Sequence, residues 1–349
     1  MPKKKLMRAI RIHQHGGPEV LKIDSDLPIP KPGPGEVLLQ IKATAMNHMD
    51  IWVRQGMPGV KIPLPIILGC EGSGIIKECG AEIKNYSVGD EVILSPGTSC
   101  GRCEMCLSDQ DNFCRSYGIY GETEDGTQVE YKVVSESQLI KKPKNLSFEE
   151  AAAMPLTFMT AWQMLVDRGG VKPGQDVLIL AAASGVGSAG VQIAKLFGAR
   201  VIATVGSDEK MERVKELGAD DVINHSKQDF SQEVKKLTNK RGVDIVFEHV
   251  GQATWEKSLR ALAFAGKLVT CGATTGHEVK IDLRHLFMKQ QQIIGSTMGS
   301  KSTLFKIMKL ASEKRLKPVI DRTFPFSEVM QAHQRLSLRS TFGKVVLLP

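Results

Sequence analysis

Val177-Leu178-Ile179-Leu180-Ala181-Ala182-Ala183-Ser184-Gly185-Val186-Gly187-Ser188-Ala189-Gly190 is the stretch on which the fold turns. Its first four residues are an apolar run of the kind that makes a buried strand, and after a glycine-rich turn Gly187 to Phe197 reads as a helix. Val177 to Ala194 carries no charge and is just long enough to suggest a membrane helix. It is dense in small residues and broken by the turn, so a buried strand followed by a packed helix accounts for it better. Gly185, Gly187 and Gly190 form G-x-G-x-x-G, a weak pattern alone but an informative one between a strand and a helix. On this reading Gly185 permits the tight turn and Gly187 lets the backbone approach a pyrophosphate. Gly190 lets the helix pack on the strand, and the helix start, Val186 included, faces the negative charge. The alternative is a glycine-rich turn that holds no ligand.

Working outward, strands and helices alternate. Arg200 to Val205 reads as a strand and Asp208 to Leu217 as a helix; Asp244 to Glu248, Lys267 to Cys271 and Ile293 to Ser296 continue the strand series. Such alternation implies an α/β unit, a doubly wound parallel sheet with helices on both faces. Upstream the character changes. Short apolar runs such as Val37-Leu38-Leu39-Gln40-Ile41 alternate with clusters such as Pro28-Ile29-Pro30-Lys31-Pro32-Gly33-Pro34-Gly35, a β-rich pattern. Ser147-Phe148-Glu149-Glu150 reads as a capped helix start. The C-terminal Gly343-Lys344-Val345-Val346-Leu347-Leu348 reads as a strand returning to the first domain. A length of 349 residues suits two domains. The expected division is 1–157, 158–297 and a return over 298–349.

The second strand of the series ends at Val205, followed by Gly206 and Ser207. NAD selection normally uses an acid about 20 residues after the glycine turn, on the ribose 2′-hydroxyl. No acid occupies this strand end. A 2′-phosphate suits it, with Ser207 donating a hydrogen bond and Lys210 supplying charge. Asp208 and Glu209 count against this, although acids also stabilise the start of a helix. The expectation is NADP(H) rather than NAD(H).

Seven cysteines in a chain with no export signal argue for a metal site rather than a disulfide framework. Cys100-x2-Cys103-x2-Cys106-x7-Cys114 has the spacing for tetrahedral thiolate binding of one Zn²⁺, and four protein ligands would make that zinc structural. An iron–sulfur run has a shorter last gap and a following Pro; four unrelated thiols is the third reading. The formal charge of +8 invites a nucleic-acid reading. No dense basic stretch exists beyond Lys3-Lys4-Lys5, and a basic surface equally favours an anionic cofactor. A cytoplasmic protein with a small-molecule substrate, no nucleic-acid partner and no membrane partner is expected.

With these motifs placed, the chain resembles the medium-chain dehydrogenase/reductase superfamily, which includes zinc alcohol dehydrogenases and quinone oxidoreductases. The resemblance runs nearly end to end, through Gly69-Cys70-Glu71-Gly72 with Gly74, Val88-Gly89-Asp90-Glu91-Val92, the four cysteines, Ala181 to Gly190, and Gly343-Lys344-Val345-Val346. It implies a GroES-like catalytic domain with a structural zinc lobe near 95–116, a Rossmann domain, a cleft between them, and a homodimer or homotetramer. It also implies a phosphate-binding Arg near the C-terminus, where Arg339 matches. Val250, Gly272, Ala273 and Ser296 complete the expected cofactor set.

The zinc alcohol dehydrogenases hold a second, catalytic zinc, and here the sequence departs from the pattern. The ligand positions carry Asn47, Cys70 and a residue near Leu156, and Met49 replaces the proton-relay hydroxyl. A rearranged site would need Cys70 with His48, Asp50 or Glu71. Zinc polarising a carbonyl contributes several kcal/mol, and about 4 kcal/mol is roughly a thousandfold in rate. Without it, reduction of a conjugated C=C is the easier reaction, because the charge moves to a carbonyl oxygen held by hydrogen bonds. Asn47 resembles the pocket Asn of quinone oxidoreductases and Trp52 an aromatic residue there. Asn47 could orient the nicotinamide or the carbonyl, or only stabilise a turn; Trp52 could equally be core. The candidate catalytic set is Asn47, His48, Asp50, Trp52 and Thr160, with Met57, Tyr120 and Met298 as guesses for the pocket lining. An NADPH-dependent reductase of quinones, enones or enoyl thioesters such as acryloyl-CoA is the leading expectation. A zinc alcohol dehydrogenase with altered ligands and a non-enzymatic NADPH-binding protein are the alternatives.

Overall fold

In the computed structural model, residues 5–349 are described, so Lys3 and Lys4 of the basic run lie outside the described residues. Two compact units are present: Thr157–Gly299, and the described residues up to Leu156 together with Ser300–Pro349.

Thr157–Gly299 is built on a six-stranded sheet in the spatial order Asp221–Asn224, Arg200–Val205, Asp176–Ile179, Val243–Glu248, Leu262–Thr270, Gln292–Gly295. Every pairing in it is parallel. The chain enters at Asp176–Ile179 and steps outward through Arg200–Val205 to Asp221–Asn224. It then crosses to the other side of its starting strand with Val243–Glu248 and steps outward again. The reversal of order lies between Asp176–Ile179 and Val243–Glu248, and ligands of open α/β sheets bind at such a point, outside the carboxyl ends of the strands.

Side-chain alternation explains the double winding. Ile179 and Phe247 point to the face that receives the helix Gly185–Leu196, where a methyl group on Gly190 would lie 3.3 Å from the Phe247 ring. Leu178, Leu180, Val246 and Leu268 form the opposite core with Phe230, Val234 and Trp255 of the helices Phe230–Leu237 and Trp255–Ala261. The strand Asp221–Asn224 and the helix Phe230–Leu237 are additions to the series read from sequence.

The first unit contains a larger sheet in the order Leu139–Lys141, Glu91–Leu94, Glu71–Cys79, Glu36–Ala45, Lys344–Leu348, Ile320–Pro325. Tyr131–Ser135 also pairs with Glu36–Ala45. The C-terminal strand lies antiparallel to Glu36–Ala45 and parallel to Ile320–Pro325. A three-stranded sheet joins Leu21–Pro28, Leu6–Ile12 and Ile66–Ile67. Among the described residues no helix is long and apolar enough to cross a membrane.

Candidate functional site

The carboxyl edge of the parallel sheet gathers the residues expected to hold the dinucleotide. Gly185, Val186, Gly187 and Gly190 follow the strand Asp176–Ile179 and open the helix Gly185–Leu196. Its cap is Ser184, whose Oγ accepts from the Gly187 N–H at 3.0 Å. The left-handed residue of the turn is Ala181, at φ 43°. A Cβ on Gly187 would stand 2.4 Å from the Ala181 carbonyl oxygen, so the turn closes on itself only with glycine there.

Val250 follows the strand Val243–Glu248, and Gly272 and Ala273 follow Leu262–Thr270. Ser296 follows Gln292–Gly295, and its N–H donates to the Thr270 carbonyl at 2.8 Å. Glu248 organises this side of the edge and escaped notice in the sequence. Fully buried, it accepts from the Val250 and Gly251 N–H groups at 2.6 and 3.0 Å, and from the Thr254 and Ser258 hydroxyls at 2.9 and 2.8 Å. The His249 ring lies with Nε2 2.9 Å from the Leu180 carbonyl, which ties together the two strand ends at the switch point. Burial holds its pKa below the usual value.

Where the sequence reading expects the 2′-phosphate, the strand Arg200–Val205 runs into exposed Gly206 and half-buried Ser207. Asp208 is already engaged: Asn224 Nδ2 donates to it at 2.7 Å and Lys227 Nζ pairs with its other oxygen. Those two partners hold its carboxyl below the usual range. Ser226 Oγ donates to the Gly206 carbonyl at 2.9 Å. The turn is therefore bordered by Ser207 and Lys210, as read from sequence, and by Asn224, Ser226 and Lys227, which were not. Arg339 belongs to the other unit. It sits exposed in the left-handed turn between the helix Val329–Ser337 and the strand Lys344–Leu348.

In the first unit Asn47 and Leu156, two of the three positions where the resemblance places zinc ligands, meet on one carboxylate, and the third, Cys70, touches Asn47. Glu71 Oε1 accepts from Asn47 Nδ2 at 2.8 Å and from Lys344 Nζ at 2.6 Å; Oε2 accepts from the Leu156 N–H at 2.6 Å. Lys344 Nζ also donates to Asn47 Oδ1 at 2.5 Å, and Asn47 Nδ2 lies 3.4 Å from Cys70 Sγ. Side-chain exposure is 5% for Lys344 and 0% for Glu71. Removing one partner of such a buried pair costs about 3–5 kcal/mol, because the other charge is stranded. The Asn47 carboxamide offered above to the nicotinamide or the carbonyl is thus hydrogen-bonded on both its oxygen and its nitrogen inside the unit. The Cys70 thiol is pushed well up, first by burial and then by the charges of Glu71 and Asp50. A protonated thiol is a poor metal ligand.

Asp50, 1% exposed, accepts from the Asn47 N–H at 2.7 Å and the Gly69 N–H at 2.8 Å. It fixes the helix His48–Gln55 against the segment that carries Cys70. Burial pushes its pKa up to about 6. His48 and Trp52, one turn apart on that helix, have ring centroids 6.3 Å apart and are both partly exposed. Thr160 is buried in the helix Pro155–Trp162, within the second unit. Tyr120 lies in the core of the first unit, Met57 packs half-buried against another core there, and Met298 is buried in the second.

The four cysteines of the lobe point their sulfurs together, all within 4.8 Å of one another. Cys100 and Cys106 are 3.9 Å apart, Cys103 and Cys106 3.5 Å. A tetrahedral ion at a Zn–S distance of about 2.3 Å needs sulfurs roughly 3.8 Å apart, so the four fit zinc. The backbone N–H of Arg102 and then that of Cys103 pull Cys100 down to about 6, toward the thiolate a metal requires.

A unit with a parallel sheet and a glycine turn at its switch point, in one chain with a β-rich unit that carries a four-thiol lobe, defines a two-unit dehydrogenase. A profile of the alcohol dehydrogenase GroES-like domain matches residues 33–144, and a zinc-binding dehydrogenase profile matches residues 185–313. Human quinone oxidoreductase is 30% identical over 352 residues, covering 99% of this chain and 98% of the relative. Acryloyl-coenzyme A reductase of Sulfurisphaera tokodaii is 32% identical over 326 residues, covering 93% and 95%. A solved structure described as an NAD-dependent alcohol dehydrogenase is 50% identical with a TM-score of 0.95, over 98% of this chain and 100% of that one. The chain belongs to the medium-chain dehydrogenase/reductase superfamily and is an NAD(P)-dependent oxidoreductase.

Proposed function

We propose that the chain is an NADPH-dependent reductase of activated double bonds, acting on a quinone, an enone or an enoyl thioester such as acryloyl-CoA, without a catalytic zinc. The observation that carries this reading is the closed network at Asn47, Cys70, Glu71 and Lys344. Asn47 Oδ1 and both Glu71 oxygens are occupied by donors, and Leu156 contributes only a main-chain N–H. Catalytic zinc needs three protein ligands and an open fourth position, and these residues do not fit it. Reduction of a conjugated C=C makes no such demand, since the developing charge is carried by an oxygen that hydrogen bonds can stabilise.

Gly185, Val186, Gly187 and Gly190 would hold the pyrophosphate of the cofactor, and Val250, Gly272, Ala273 and Ser296 the part that extends along the sheet edge. When bound, the dihydronicotinamide supplies the hydride. Ser207 and Lys210 would meet the 2′-phosphate, with Arg339 as a further phosphate contact. The pairing of Asp208 with Asn224 and Lys227 supports this preference, because it occupies the nearest acid that a 2′-hydroxyl would need. The Cys100, Cys103, Cys106 and Cys114 zinc would be structural.

The 50% identity to a structure described as an NAD-dependent alcohol dehydrogenase favours a second reading, alcohol oxidation with NAD. Initial rates decide between them. With NADPH, a panel of quinones, enones, enoyl-CoA thioesters and aldehydes should show turnover of conjugated double bonds that a chelator leaves unchanged. Chelator-sensitive alcohol oxidation would select the second reading, and no turnover of any conjugated double bond would overturn the first.

The same reading places the enzyme in the cytoplasm, where its seven cysteines, none of them in a disulfide, stay reduced. It also makes the enzyme a homo-oligomer. The strand Gln292–Gly295 ends the parallel sheet with one edge unpaired, and the helix before it leaves Leu283, Phe287 and Met288 about two-thirds exposed.

A further inference from the structure

Arg54 and His333 take no part in the cofactor turn, the Glu71 network or the four-cysteine lobe, yet both are buried, at 2% and 0% exposure. They stand on the helices His48–Gln55 and Val329–Ser337, which pack against each other inside the first unit. We propose that Arg54 and His333 form a binding site for a small inorganic anion of the halide type, a site that stands whether or not the substrate reading above does.

Four buried nitrogens here have no hydrogen-bond partner: Nε and Nη1 of Arg54, and Nδ1 and Nε2 of His333. Buried side-chain polar atoms are normally satisfied, and the core around these is apolar, with Val20, Val53, Val329, Ala332 and Leu336 in it. The two side chains sense each other. Burial first and the Arg54 charge second hold His333 at about 3, so the ring is neutral and keeps one N–H to donate. Charge then selects the ligand. Burial lowers the Arg54 pKa, and the acid that opposes this, Glu19, is exposed and accepts from the Gly17 N–H at 2.8 Å. No acid accepts from Arg54 Nε or Nη1. Arginine stays protonated, and a buried cation without a counter-charge is costly. A water would accept from the guanidinium but bring no charge. A halide accepts N–H bonds from the guanidinium and from the imidazole, and it neutralises the cation. Because both side chains are almost wholly enclosed, the ligand is restricted to an ion of one or a few atoms.

Bromide is the probe. Crystals of the full chain grown in sodium bromide should show an anomalous-scattering peak in contact with nitrogens of both Arg54 and His333. Density there without anomalous signal is a water and overturns the proposal, as does an empty site. Thermal unfolding, with bromide replacing gluconate at constant ionic strength, tests the same site in solution. Arg54→Met removes the charge, leaves the dinucleotide residues untouched and shares any general effect of the salt. At a bromide concentration about ten times Kd, the midpoint of wild type should have risen by about 2 °C relative to that of Arg54→Met. Equal responses in the two proteins overturn the proposal even if the crystal shows bromide, since an ion held only at crystal concentration is adventitious. Should Arg54→Met not fold, His333→Phe, which keeps the ring and removes its N–H, takes its place. It should respond less than wild type, and an undiminished response overturns the site.

Discussion

Lys210 decides the nucleotide preference if any one residue does, since Ser207 can hydrogen-bond either ribose form but only a cation discriminates by charge. Lys210→Ala should raise KM for NADPH by about 10-fold, the equivalent of about 1.4 kcal/mol, and leave KM for NADH almost unchanged; steady-state kinetics with both cofactors measures this. Equal effects would remove the NADPH assignment. Asp50 supplies a second expectation at this scale. Its folded pKa of about 6 lies above the ordinary 3.8, so its stabilisation is fully present below pH 3.8 and is lost as pH rises through about 6. The size is about 3 kcal/mol at most. His333 acts in the opposite sense, because burial holds it at about 3, so the two trends offset each other in wild type. Denaturant unfolding of wild type and Asp50→Asn at pH 4 and pH 7 separates them: the advantage of wild type should shrink as pH rises, and an advantage that grows would be contrary. Asn47, Cys70 and Leu156 were legible because motif positions can be counted along the chain. Lys344 is visible in the sequence as part of a terminal strand and of a superfamily motif, but not as a partner of Glu71, since their bond joins residues 273 apart and no local pattern encodes such a contact.

At the scale of elements, the glycine turn is the most constrained feature. Gly187→Val would drive a branched side chain into the Ala181 carbonyl, 2.4 Å from where Cβ must go. It should weaken NADPH binding by roughly 100-fold or more, about 2.7 kcal/mol, while far-ultraviolet circular dichroism stays close to wild type. Unchanged affinity by titration calorimetry would mean that the pyrophosphate lies elsewhere. The turn was readable because strand, glycine spacing and helix are contiguous. The strand Asp221–Asn224 was not, because four residues ending in Asp and Asn show no periodicity; its place is set by pairing with Arg200–Val205. Glu248 was missed for a related reason. A buried carboxylate reads as an anomaly in an apolar strand until its four donors, all supplied within the next ten residues, are seen together.

At the scale of the molecule, the exposed apolar side chains before the edge strand argue for association. Phe287→Glu should shift the size-exclusion elution to the monomer without lowering NADPH affinity, and an unchanged elution volume would place the contact elsewhere. Domain order and sheet class were legible from composition and alternation, whereas subunit contacts leave only scattered exposed residues in a sequence. On the function proposed above, this superfamily member reduces conjugated double bonds with NADPH and one structural zinc. Zinc content measured on the same preparation that is turning over an enone or enoyl-CoA with NADPH tests it most directly. About one zinc per chain at full activity is the expected result; two per chain, with activity lost when the second is stripped, would contradict it.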